Sequence, residues 1–183
     1  GMKDFKKFGP FAYTAKLRNG LFRNTGACLS PQNAFYNSIG METFGLRMER
    51  VCDNAKTLAQ FFATEYSDIE VNYPGLAGSK WHNIATEQFG DKFGGIITIR
   101  TGNKKRAFGI IDALKLPLIV SNIGDTKTLV IHPESTLNVH STQEEKETAG
   151  VFDDLIRISV GIEDIDDLID DFKQAIESVK DVY

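Results

Sequence analysis

Leu155-Ile156-Arg157-Ile158-Ser159-Val160-Gly161-Ile162 alternates its side chains in the manner of a β-strand. Ile156, Ile158, Val160 and Ile162 fall on one face, and Arg157 and Ser159 fall on the other. An arginine inside so apolar a strand must meet water or an anion, because an unpaired buried charge is strongly unfavourable. Its planar fork matches a carboxylate or a phosphate through two parallel hydrogen bonds. A salt bridge to one of the chain's own acids is the default expectation, and a bound anion is the alternative.

The surroundings of this strand are those of an ordinary globular chain. Its 183 residues, 42% hydrophobic and 25% charged, suit one compact domain with at most a short appendage. A formal net charge of −4 argues against general nucleic-acid or anionic-membrane binding. No apolar run approaches the roughly 18 residues that span a bilayer, and no leader is visible, so a cytoplasmic protein without a membrane partner is expected. Cys28 and Cys52 lack metal-ligand spacing and read as reduced thiols. Gly1 before Met2 reads as a cleavage scar, with Met2 as the start. Charge is uneven: Lys3, Lys6, Lys7, Lys16, Arg18 and Arg23 make the start basic, and acids crowd the segment after Ile162. Phe5, Phe8, Phe11, Tyr13 and Phe22 interleave with those bases, and turn signals sit at Phe8-Gly9-Pro10 and Arg18-Asn19-Gly20. With net acidity set against nucleic acid, this segment is expected to be an arm with little structure of its own, lying on another surface.

The remaining elements follow from periodicity and capping. Ser30-Pro31 opens a helix with an N-cap and a first-position proline. It runs to about Ala63, broken near Gly40 and Gly45 or continuous through them, with Phe44, Met48, Val51, Ala55, Leu58 and Phe62 on one stripe. Strands are expected at 69–73, 96–100, 118–121 and 128–132, with helices over 81–89 and 104–114. Thr142-Gln143-Glu144-Glu145 is a capping box, and a last helix starts near Asp164 with Ile165, Leu168, Ile169, Phe172, Ile176 and Val179 inward. The pattern predicts an α+β fold, one sheet of short strands with helices packed on one face.

Little chemistry stands out from residue types alone. His82, His132 and His140 match no zinc motif, so no metal site is expected, and His132 before Pro133 reads as structural. Lys127 reads as a solvated lysine rather than a Schiff-base site. No phosphate loop, dinucleotide fingerprint or nucleophile elbow occurs. What remains is Ser121-Asn122-Ile123-Gly124-Asp125, between two strands. The Asn122 amide can donate to an anion and Gly124 allows close backbone approach, so with Arg157 they form a candidate carboxylate clamp.

Several stretches together carry a resemblance. They are Leu29-Ser30-Pro31-Gln32-Asn33-Ala34-Phe35, Met41-Glu42-Thr43 with Leu46-Arg47-Met48-Glu49-Arg50, Asp53-Asn54-Ala55, Val71-Asn72-Tyr73-Pro74-Gly75-Leu76, Asn122-Ile123-Gly124-Asp125-Thr126-Lys127-Thr128-Leu129, His132-Pro133-Glu134-Ser135-Thr136, and the Arg157 strand continued to Glu163. In this order the chain resembles the C-terminal part of the Cys/Met-metabolism family of pyridoxal-phosphate (PLP) enzymes, above all the O-acetylhomoserine sulfhydrylase branch. The resemblance implies the C-terminal small domain of the fold-type I PLP-dependent transferase fold, preceded by a long interdomain helix. Residues 2–40 would be the tail of the large PLP domain and the start of that helix, and residues 41–183 the small domain. It also implies that Arg157 holds the α-carboxylate of an amino-acid substrate, with Asn122 and the adjoining Ser121 helping to position it.

The implied reaction is γ-replacement, O-acetylhomoserine and sulfide giving homocysteine and acetate; cystathionine γ-synthase and methionine γ-lyase chemistry are the alternatives within the family. The family's Schiff-base lysine, phosphate-binding residues and stacking tyrosine belong to an N-terminal domain that would precede residue 40. The chain is therefore expected to pair with an N-terminal PLP-binding half, to form a homo-oligomer, and to bind no PLP and carry no catalytic residue alone. A non-catalytic remnant or oligomerisation domain is the alternative. The family's usual His-Pro-Ala-Ser-Thr-Thr-His is altered here by Glu134, Leu137 and Asn138, which bears on the carboxylate side of the site.

Overall fold

The computed structural model describes residues 2–180. The chain divides into two compact units, one up to Thr43 and one from Phe44 onward.

The first unit is helical, contrary to the expectation of an arm with little structure. Helices α1 (Met2–Phe8), α2 (Ala12–Leu17) and α3 (Arg23–Thr25) are joined by a 3-10 turn at Gly9–Phe11 and a π-helical turn at Arg18–Phe22. Both sequence turn signals are absorbed into these tightened and widened turns, Pro10 taking a first-turn position where its missing N–H costs nothing. The changes of helical period explain why no steady apolar repeat is visible. Gly26, at φ +62°, ends α3 in the left-handed conformation. Helix α4 (Pro31–Glu42) starts as read, the Ser30 side chain accepting from Asn33 N–H at 3.2 Å. Phe5, Phe11, Tyr13 and Phe22 are all exposed.

The second unit begins with α5 (Phe44–Glu65), so the long helix is broken, at Thr43. Only the later part of its stripe is covered: Val51, Ala55, Leu58 and Phe62 are buried, whereas Phe44 is exposed. After it come β1 (Glu70–Asn72), α6 (His82–Phe89), β2 (Ile96–Arg100), α7 (Lys104–Ala113), β3 (Leu118–Ile119), β4 (Leu129–Ile131), α8 (Gln143–Thr148), β5 (Leu155–Ser159) and α9 (Ile165–Ser178). The strands form one sheet in the order β1-β2-β5-β4-β3. Strand β5 is central and antiparallel to both β2 and β4; among the described residues only the β3–β4 pair is parallel.

The core lies on one face of that sheet. Ile97, Ile99, Val130, Ile156 and Ile158 meet Leu58 and Phe62 from α5, Ala107 and Ile110 from α7, and Leu168, Phe172 and Ile176 from α9. Phe62 and Phe172 make an edge-to-face pair with centroids 5.2 Å apart, joining α5 to α9. Strand β5 stops at Ser159, short of the expected Ile162, because the chain leaves the sheet there. The Ile162 N–H donates to the Thr126 carbonyl at 2.9 Å, and Ile162 itself is exposed.

Two carboxylates fix the connections on this frame. Buried Asp171 of α9 accepts from the Lys115 and Leu116 backbone N–H groups, each at 2.9 Å, just past the end of α7, and from Gln174 at 3.0 Å. Glu134, after β4, accepts from Lys104 at 2.8 Å and Lys146 at 2.5 Å, tying its loop to α7 and α8. These two ammonium groups pull the Glu134 carboxyl down to about 2. Replacing Asp171 with Ala is expected to cost about 3 kcal/mol, read as a lower urea midpoint, since buried donors lose their acceptor. For Glu134 the folded pKa lies below the unfolded one, so its contribution is present above the ordinary carboxylate range and is lost as pH falls through that range toward about 2. Glu134→Gln is expected to remove that part of the acid-induced loss of stability, measured as the urea midpoint between neutral pH and pH ~3.

Candidate functional site

The site is assembled on the face of the sheet turned away from the three core helices. Arg157 projects from the middle of β5, paired in register with Thr98 of β2 on one side and Ile131 of β4 on the other. Thr98 in turn pairs with Asn72 of β1, whose amide donates to its hydroxyl at 3.3 Å. A polar row therefore crosses from the sheet edge to Arg157. A cleft of about 1010 Å³ opens along the β1–β2 side of this face, lined by Asn72, Thr98, Arg100 and Trp81 among others.

Two arginines of this face have opposite fates. Arg100 is neutralised inside the chain: its Nε–H donates to the buried Asp154 at 3.0 Å, and its guanidinium lies 4.0 Å from the Phe152 ring centre. Arg157 has no carboxylate within ion-pair distance among the described residues, so the default salt bridge is not formed. Its Nη2 donates to the Asn122 carbonyl at 3.1 Å, and its buried Nε–H has no partner. Burial pushes its pKa below the usual arginine value. A half-buried guanidinium whose buried Nε–H has no partner is an electrostatic demand for an anion.

The loop carrying Asn122 is held along β5 by a repeating set of bonds. Gly124 N–H donates to the Ser159 hydroxyl at 3.1 Å, Ile162 N–H to the Thr126 carbonyl at 2.9 Å, and Thr128 N–H to the Glu163 carboxylate at 2.6 Å. Gly124 has φ +76°, a conformation that favours glycine, and the turn is closed by Asp125 accepting from Lys127 N–H at 3.1 Å. That bond is the main reason the Asp125 carboxyl lies below its usual range. An apolar cavity of about 200 Å³ adjoins the loop, lined by Met48, Val51, Ile96, Ile123, Val160 and Ile162 among others.

The structure brings Arg157 and Asn122 together, but through the backbone. The Asn122 side chain and the exposed Ser121 make no hydrogen bond among the described residues, and it is the Asn122 carbonyl that meets Arg157. The physical reason is the loop's path along β5, which turns its main chain toward the strand's side chains. Ser159, Thr128, Glu163 and Asn54 were not singled out from the sequence. The available signal was Asn54, a polar residue beside the apolar stripe of α5.

His132 is structural, as its place before Pro133 suggests. Its Nε2–H donates to the Asp153 carbonyl at 2.7 Å, leaving Nδ1 to accept from Ser135 N–H at 3.2 Å. Among the described residues no cluster of His, Cys, Asp and Glu is placed to hold a metal ion. Nor do the residues at the clamp suit a covalently held aldehyde cofactor. Lys127, the lysine of the loop, is exposed and lies at the turn closed by Asp125 rather than in an enclosed pocket.

Comparisons with known proteins place this geometry in a family. The model for Cys/Met metabolism PLP-dependent enzymes matches residues 9–177. The L-methionine gamma-lyase of Fusobacterium nucleatum subsp. polymorphum is 41% identical over 161 residues, 87% of this chain and 40% of that protein. The O-acetyl-L-homoserine sulfhydrylase of Corynebacterium glutamicum is 38% identical over 181 residues, 98% of this chain and 41% of that protein. A crystal structure of a putative O-acetylhomoserine (thiol)-lyase from Campylobacter jejuni, bearing a pyridoxyl-lysine phosphate, superposes with a TM-score of 0.83 at 38% identity, covering 92% of this chain and 40% of that one. The chain thus spans about two fifths of the length of these relatives. With a family model matching most of its length and sequence and fold agreeing, the chain belongs to the Cys/Met metabolism family of PLP-dependent enzymes.

Proposed function

We propose that this chain supplies the substrate-carboxylate side of a PLP-dependent sulfur amino-acid site, whose cofactor side comes from an N-terminal PLP-binding half. The observation that carries this reading is Arg157. Of the two arginines on this face, it is the one with no carboxylate within ion-pair distance among the described residues, and its buried Nε–H has no partner, while Arg100 is paired with Asp154. Asn122 orients the guanidinium through its carbonyl, and Gly124, two residues on, is bonded to Ser159 of the same strand.

The chain's own residues would bind and orient an amino acid. The guanidinium takes the α-carboxylate in a two-point grip, and the loop over β5 fixes the angle of that grip. Binding energy from this remote group then helps to set the geometry of the reacting carbon. Pyridoxal phosphate, when bound by the complete protein, supplies the electron sink for the carbanion. The reaction we favour is γ-replacement of acetate by sulfide on O-acetylhomoserine, supported by the sulfhydrylase relative covering 98% of the chain. A γ-lyase reading is supported by the methionine gamma-lyase relative at 41% identity. In this account the isolated chain has no turnover and binds no stoichiometric PLP, acts in the cytoplasm, and works in a homo-oligomer with its N-terminal half.

The test joins the chain to a PLP-binding half from a sulfhydrylase relative and assays homocysteine from O-acetylhomoserine and sulfide. Turnover is expected in the joined protein and not in the chain alone. Arg157→Ala is expected to lower kcat/KM by about a hundredfold or more, because a buried charge pair is lost. Unchanged kinetics in that variant would dismiss Arg157 as the carboxylate anchor, and 2-oxo-acid release from methionine without sulfide would move the assignment to the lyase.

A further inference from the structure

The bonds behind the clamp converge on one carboxylate. Glu163 accepts from Thr128 twice, from its N–H at 2.6 Å and from its hydroxyl at 2.9 Å. The same hydroxyl accepts from Gly161 N–H at 2.9 Å. Asn54 of α5 donates to the Gly161 and Glu163 carbonyls at 3.1 and 2.9 Å, holding the bend from the helix side. Thr128 is fully buried, so its polar atoms have no water to fall back on. A Cβ on Gly161 would overlap the Glu163 carboxylate and the Thr126 carbonyl, which leaves glycine as the residue that fits.

The pairing has a register. Residues 122, 124, 126 and 128 of the loop are bonded in turn to residues 157, 159, 162 and 163. Arg157 is the first rung and Glu163 the last. The first two rungs are side chains of β5 reaching loop backbone, and each is a single hydrogen bond. The last is a two-point grip by a charged acceptor on a buried residue, the strongest kind of hydrogen bond in the set.

We infer that Glu163 is a positioning residue for Arg157: through Thr128 it sets the path of residues 122–128, and thereby holds the Asn122 carbonyl on the guanidinium. Neither Glu163 nor Thr128 is in the set of residues bonded to Arg157. Their action is to keep its Nη2 occupied by Asn122 and its Nε–H free for the ligand. The inference rests on Arg157 being the carboxylate anchor, but the loop's hold on Arg157 can be measured without any ligand.

The experiment is NMR on the 183-residue chain, following the Arg157 Nε–H signal, assigned by its loss in Arg157→Lys. Glu163→Gln and Thr128→Val are each expected to shift that signal and speed its solvent exchange at least tenfold, while Ile99, Ile156 and Ile158 amides stay protected. Thr128→Ser, which keeps the hydroxyl, is expected to restore wild-type behaviour. An unchanged Arg157 signal in both disruptive variants, with the core protected, would overturn the inference. So would a Thr128→Ser variant as perturbed as Thr128→Val.

Should a variant unfold, native-state exchange of the wild-type chain decides. The Thr128 and Gly124 amides and the Arg157 Nε–H are expected to open with a common denaturant dependence, and independent opening of Arg157 would overturn the inference. A chain that passes these tests while the joined enzyme ignores Arg157→Ala retains the positioning role and loses the substrate reading. The reverse pair of results retains the substrate reading and removes Glu163.

Discussion

A guanidinium on the central strand of a sheet has to be hydrated, paired or offered to a ligand, and the structure around Arg157 follows from that constraint. Its strand neighbours Ile156 and Ile158 are fully buried, which fixes β5 in register and leaves Arg157 on the opposite face. There it receives a carbonyl and, among the described residues, no carboxylate. The chain contains a worked contrast in Arg100, which lies on the same face and is held by Asp154, Glu70 and the Phe152 ring. Acids could therefore have been placed near β5 as they were near β2. The demand for charge left at Arg157 is local to one side chain.

Several of the stretches that carry the resemblance meet around this point. Asn54, the Asn122–Thr128 loop, Gly161 and Glu163 are far apart in sequence and meet in one hydrogen-bonded knot at the end of β5. They hold the loop in place. Glu134 takes two lysine partners, which give the following loop an anchor of its own. Leu137, in that loop, is exposed.

Much of the second unit was legible because its cues are local. The Thr142–Glu145 capping box forms both of its bonds, at 3.3 and 2.8 Å, and β2 spans the residues its alternation indicates. The α9 stripe is inward as its spacing implies, with Leu168, Phe172 and Ile176 fully buried. What failed was non-local. Turn signals at Gly9-Pro10 and Asn19-Gly20 were absorbed into irregular helix, because a change of helical period leaves no simple repeat in the residues. The internal salt bridge expected for Arg157 failed because composition cannot say which acid lies within reach. At the site, Asn122 was read for its amide, and its bond to Arg157 comes from its carbonyl, a property of loop path that side-chain chemistry does not encode.

The central claim is that Arg157 is the carboxylate-holding side of a shared site. It is tested most directly by a crystal structure of this chain joined to a PLP-binding half from a sulfhydrylase relative, with the amino-acid substrate bound. The account predicts a substrate carboxylate within about 2.7–2.9 Å of Arg157 Nε and one of its terminal nitrogens, with the Asn122 carbonyl still on Nη2. A carboxylate seated elsewhere, or Arg157 paired with an acid of the other half, would contradict it.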